Sequence, residues 1–178
     1  MKTEHSDELL DEFYLAYRNR NYNEAILLLK AIILKDRKGS FWLYSRLSSC
    51  YYELKDYKQA LSYAKKAYKL NPNSPLVLWD YAGVLIMLKK EKKAIEFLML
   101  IQHMDEDLTV YGFTESDTGW MRSIKNDANF LIGKAYYTIC EDELAKEFLL
   151  KHLSNRKRGR KSIYPKKLVL KYLKKLDG

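Results

Sequence analysis

The chain reads as an all-α solenoid, and three observations point there. Ala25, Ala60 and Ala94 stand 35 and 34 residues apart and Ala145 follows 51 residues later, each near the start of an apolar helical pattern. A period of about 34 residues is the length of two short antiparallel helices with their turns, and so small a unit buries its apolar face only by stacking on a neighbour. With 47 % hydrophobic residues but only seven glycines and three prolines among 178, the chain has material for a continuous core and too few breakers for a sandwich or barrel. No stretch carries a strand signal.

Local signals set out the helices in order. Ser6 followed by Asp7 and Glu8 caps a first helix running to about Arg18. Asn21 with Glu24, and Asp56 with Gln59, have capping-box spacing and open the second helices of the first two repeats. Ser74 before Pro75 is a cap with proline at the first helical position; the third repeat then runs from Pro75 to about Leu88 and from Glu91 to about Met104. An insertion falls at about 107–125. It is rich in turn formers, but Trp120, Ile124, Ala128, Leu131 and Ala135 already keep helical spacing, so part of the extra length belongs to a longer first helix in the fourth repeat. The rest is a loop carrying Val110, Tyr111 and Phe113, which either binds or folds back on the third repeat. Pro165 opens a last helix in which Leu168, Val169, Tyr172, Leu173 and Leu176 form one apolar stripe, suited to capping the open end of a solenoid.

Within this frame Asp56 to Pro75 resembles a tetratricopeptide repeat, with Ala60 and Ala67 in the two small slots of the second helix and Pro72 at the exit. Tyr44, Leu47, Ser48 and Tyr51 stand where the family prefers tryptophan, leucine, glycine and tyrosine, and Ile132, Gly133, Tyr136 and Ala145 repeat the pattern in the fourth unit, with His152 in its second small slot. The third repeat keeps Ala94 but has Ile101 and Glu106 in the other slots; the first keeps Ala25, with Ile32 and no exit proline. Small residues are needed there because paired helices approach to about 8 Å only where the crossing row is small. The resemblance implies a right-handed superhelical α-α solenoid of about four helix pairs, at 6–40, 41–74, 75–106 and 126–159, closed by a basic loop and a capping helix over 155–178.

Charge is uneven along the chain. From Lys151 onward the net charge is +10, so residues 1–150 carry −1 of the overall +9. Arg156, Lys157, Arg158, Arg160 and Lys161, five cations within six residues around Gly159, are candidates for phosphate contact with nucleic acid or an anionic membrane, against the commoner reading of a solvated loop. The acidic, polar start MKTEHSDELLDEF lacks a secretory signal pattern and no run approaches the ~18 apolar residues of a membrane span. Cys50 and Cys140 are expected as buried or half-buried free thiols on first helices, and the expected location is cytoplasmic.

Catalysis finds little support. His5, His103 and His152 belong to no HExxH, no interpretable cysteine-histidine pair and no phosphate loop, and the string His103 to Asp107 reads as a helix exit rather than a metal site. No enzyme activity, cofactor or metal is expected. The resemblance instead implies a concave groove lined by first helices: Tyr14, Tyr17, Trp42, Ser45, Arg46, Ser49, Tyr52, Trp79, Asp80, Phe130, Lys134 and Tyr137. The slots by which some family members clamp a terminal carboxylate hold Leu10, Tyr14, Ser49, Leu76 and Asp80, so that clamp is absent. The expected partner is a peptide or protein segment gripped by aromatic rings, in an adaptor, chaperone-like or scaffold role. The alternatives are a regulator acting on nucleic acid or membrane through the basic segment, and a subunit resembling secretion chaperones.

Overall fold

The computed structural model describes residues 4–36, 40–105 and 118–177. These residues form helices joined by turns: α1 (Glu4–Arg18), α2 (Tyr22–Asp36), α3 (Phe41–Glu53), α4 (Tyr57–Leu70), α5 (Pro75–Met87), α6 (Glu91–His103), α7 (Thr118–Thr138), α8 (Asp142–Lys157) and α9 (Lys166–Leu176). The chain divides into two compact units, the first up to Val84 and the second from Leu85, so the boundary falls inside α5.

In the first unit α1 packs on α2, α2 on α3 and α3 on α4. Phe13, Ala16, Ala25, Ile26, Leu29, Ile32, Leu43, Leu47 and Cys50 form its core. Ala60, Ala64 and Ala67 are all buried along one stripe of α4, which lets α3 come close enough for the Ser48 hydroxyl to donate to the Ala60 carbonyl at 2.9 Å. Serine in a slot that favours glycine thus adds a bond across the helix crossing.

In the second unit α6 packs on α7, α7 on α8, and α9 lies against both α7 and α8. A Cβ built on Gly133 falls 2.8 Å from Leu149 Cγ and 3.1 Å from the Ala145 carbonyl oxygen, so α7 and α8 approach at a distance only glycine permits. Val169 and Leu173 of α9 are buried, and Leu168, Tyr172 and Leu176 are half-buried along the same stripe.

Every helix pair closes through one backbone device. Arg20, Lys55, Lys89 and Cys140 adopt φ between 55° and 61°. The next N–H in each case reaches back five residues: Asn21 to Ala16 (2.9 Å), Asp56 to Tyr51 (2.9 Å), Lys90 to Leu85 (2.9 Å) and Glu141 to Tyr136 (3.0 Å). These are Schellman closures, satisfying carbonyls that a helix end leaves orphaned. The left-handed residue stands five positions before Ala25, Ala60, Ala94 and Ala145 respectively, and each of those alanines donates its N–H to the residue four before it. The alanine register and the turn register are therefore one repeat.

Two of the caps hold: Asp56 accepts from the Gln59 N–H at 3.1 Å and Ser74 from the Val77 N–H at 3.5 Å, whereas Asn21 meets Glu24 through its side chain, Nδ2 donating at 2.6 Å. The first helix begins at Glu4, before the expected Ser6 cap, and α7 begins at Thr118, so residues 118–125 of the expected insertion are helix. Val110, Tyr111 and Phe113 lie outside the described residues. Cys140 requires a correction: it is exposed, because it is the left-handed turn residue rather than part of the preceding helix. Cys50 is buried as expected, and burial pushes its thiol up to about 12.

Candidate functional site

Seven of the nine groove residues expected in the first unit are half-buried; Tyr14 is exposed and Ser45 buried. The Trp42 ring, at the start of α3, stands edge-on to Phe13 with centroids 5.9 Å apart and lies 6.1 Å from Tyr14. Phe13 is the buried floor; Tyr14 and Trp42 are its wetter rim. One turn along α3, the Arg46 guanidinium sits 6.0 Å from the Trp42 ring centre and its Nη2 is 3.8 Å from Asp80 Oδ2 on α5. The same Asp80 oxygen accepts from Ser45 and from Ser49 at 3.1 Å.

Helical spacing explains this convergence. Ser45, Arg46 and Ser49 share one face of α3, so one carboxylate on the neighbouring first helix reaches all three. Burial raises the Asp80 carboxyl above its ordinary range, while Arg46 and the two hydroxyls favour its charged form. Asp80 is thus a hub that orients Arg46 rather than a groove wall. Arg46 Nε is buried and has no acceptor among the described residues. Tyr17 packs against Phe13 (5.8 Å) and Tyr22 (5.5 Å), and burial pushes its hydroxyl up to about 12. The Tyr52 ring lies against Gly83, 4.0 Å from where a Cβ would stand. Trp79 is half-buried beside Asp80.

The three groove residues expected from the fourth repeat fare differently. Phe130 is 1 % exposed and packs among Tyr164 (4.3 Å), His152 (5.8 Å) and Tyr172 (6.0 Å). It is core, and the groove assignment is corrected. Tyr137 stands edge-on to Tyr172 at 5.2 Å, under α9. Lys134 is half-buried. The physical reason is that Tyr164, just before α9, and Tyr172 on α9 pack on the same face of α7 that the repeat frame assigns to the groove.

The basic segment is built rather than loose. His152 is fully buried, with Nδ1 donating to the Asn126 carbonyl at 2.8 Å and Nε2 3.5 Å from Ser162 Oγ. Asn126 Nδ2 donates to the Lys161 carbonyl at 3.4 Å, and Asp127 accepts from the Ile163 N–H at 3.2 Å. Arg156 is committed within the fold, donating to the Tyr164 carbonyl at 2.8 Å. Of the five expected phosphate contacts, Arg158, Arg160 and Lys161 line an open hollow of about 630 Å³ together with Gly119, Trp120, Arg122 and Ser123 of α7; Arg156 and Lys157 do not. Trp120 and Arg122 had no place among the sequence candidates, because nothing local signals that the start of α7 meets the loop after α8. Among the described residues no cluster of three histidines, cysteines or carboxylates forms a metal site, and no helix is long and apolar enough to cross a membrane.

Residues 51–111, about a third of the chain, match the model of the tetratricopeptide repeat. The fold is similar to that of MamA residues 41 to end from Desulfovibrio magneticus RS-1, with a TM-score of 0.68 at 17 % identity over 99 % of this chain and 95 % of that one. BtubC from P. vanneervenii gives 0.73 at 14 % identity, over 96 % and 70 % of the two chains. YrrB, described as "a TPR protein with an unusual peptide-binding site", gives 0.64 at 19 %, over 84 % and 68 %. No curated protein matches the chain by sequence.

Proposed function

We propose that the chain, whose residues 51–111 match the tetratricopeptide-repeat model and whose fold is an all-α solenoid, is a non-catalytic interaction module that binds a peptide segment of another protein along the first helices of its first unit. The observation that carries this reading is the strip Tyr14–Trp42–Arg46–Asp80. Exposed and half-buried rings lie beside a guanidinium that Asp80 and Trp42 orient and whose Nε still lacks an acceptor. Aromatic and arginine side chains at a partly dry surface carry most of the affinity of protein interfaces. A peptide carbonyl or carboxylate meets the part of the Arg46 side chain that stays exposed. The peptide-binding site that YrrB is described as having, on a similar fold, supports the class of ligand.

The test is capture of the co-purifying partner. Trp79→Ala is expected to weaken it at least tenfold, an anchor truncation of about 2 kcal/mol, while Lys65→Ala, at an exposed position of α4, leaves it intact. If Trp79→Ala melts well below wild type, the exposed Tyr14→Ala replaces it as the test. Folded variants that bind like wild type exclude this groove.

A further inference from the structure

The turn from α8 into α9 brings three cations, Arg158, Arg160 and Lys161, to one hollow beside Arg122 of α7, and main-chain bonds hold the turn there. Gly159 takes φ +83°, a conformation that glycine adopts without strain. The Arg160 N–H returns to the Asn155 carbonyl at 3.1 Å, the Lys161 carbonyl is held by Asn126, and the Ile163 N–H by Asp127. Asn126 and Asp127 are buried on α7, the helix whose first turn supplies the other wall. The loop and α7 are thereby fixed to one another, and the side chains of Arg158 and Lys161 take no part in the fixing.

The hollow has a definite chemistry. Among the described residues Arg122, Arg158, Arg160 and Lys161 line it with no carboxylate beside them, and Trp120, 37 % exposed, contributes an indole ring. Its volume of about 630 Å³ lies within the ~300–1,000 Å³ of small-molecule sites and far exceeds a lone phosphate. Concavity also sets it apart from a surface meant for a flat lipid face. Cations paired with an aromatic ring suit a ligand that joins phosphate to a planar base.

We propose that this hollow is a nucleotide site in which the Arg158, Arg160, Lys161 and Arg122 side chains hold phosphate and the Trp120 indole stacks on the base. A free nucleotide and a nucleotide within a single strand share that chemistry. Polarisation measurements on the full chain at low salt, with a fluorescent ADP analogue and a labelled oligouridylate as probes, separate them: tight binding of the first assigns a free nucleotide, and binding of the second alone assigns a strand.

Trp120→Ala is expected to weaken the bound probe on the order of tenfold, and Trp120→Phe to retain most of the affinity. Arg158→Gln with Lys161→Gln is expected to lower the log–log salt slope of strand binding by about 1.4, at roughly 0.7 per lost contact. Lys157→Gln, one residue from Arg158 but outside the hollow, is expected to change neither. Should Trp120→Ala melt low, the exposed Arg158 and Lys161 pair decides. The proposal is overturned if neither probe binds, if pyrophosphate competes as well as nucleotide while folded Trp120→Ala binds like wild type, or if Lys157→Gln weakens binding as much as the Arg158 and Lys161 pair.

Discussion

A neutral imidazole is what the core of the second unit requires at position 152. His152 Nδ1 donates to a carbonyl, which leaves Nε2 as the acceptor facing Ser162. Burial lowers its pKa below the ordinary 6.5, although the Asn126 carbonyl and Asp127 oppose the shift. In the unfolded chain the ring titrates normally, so the stability it contributes is complete above pH 6.5 and is lost as pH falls from there toward the folded value. Asp127 acts in the opposite sense and lower on the scale: burial raises its carboxyl above 3.8, so its contribution is lost as pH rises through that window. Urea midpoints are therefore expected to fall between pH 7 and 6 in wild type and to stay level in His152→Gln; equal slopes in the two proteins would refute the assignment. The residue slots legible in the sequence were those with a steric requirement. Ala60 and Gly133 were identifiable because a close crossing tolerates nothing larger, whereas the polar role of His152 emerged only when Asn126 and Ser162 came within reach.

At the scale of elements, the left-handed turn residues account for what was readable and what was not. Turn signals in sequence rest largely on glycine and asparagine, which adopt positive φ at little cost. Here Arg, Lys, Lys and Cys occupy those positions, so the helix ends carried no punctuation and Cys140 was assigned to a helix. A non-glycine residue in this conformation costs about 1–2 kcal/mol, offset in part by the extra unfolded-state freedom of glycine. Lys55→Gly is accordingly expected to stabilise the first unit by roughly 0.5–1 kcal/mol, read as a raised denaturation midpoint with unchanged slope; Lys55→Val should lower it. A lower midpoint for the glycine variant would mean that the lysine side chain contributes more than its backbone strain removes. Capping signals fared better because Asp56 and Ser74 act within three residues of themselves.

For the molecule as a whole, the solenoid class followed from a period visible in four alanines, while the binding surfaces did not follow from that period alone. The repeat frame assigned Phe130 and Tyr137 to a groove, but Phe130 is covered by Tyr164 and Tyr172 and Tyr137 meets Tyr172, residues outside the repeat. It grouped the basic residues by adjacency, whereas Arg156 turned inward and Arg122 joined from about forty residues earlier. Periodicity reports what neighbouring repeats share, and sites arise where they differ. The two thiols carry one such difference into practice. Cys50 is sealed in the first unit with its thiol pushed up to about 12, and Cys140 stands exposed on a turn of the second. The native chain therefore offers a maleimide one point of attachment and the unfolded chain two. Counting adducts by mass after brief pulses in rising denaturant is expected to time the opening of the first unit against the helical signal of the whole; two adducts on the native chain would contradict the buried position of Cys50. A fluorophore placed on Cys140 would make the protein a ready singly labelled probe with no residue changed.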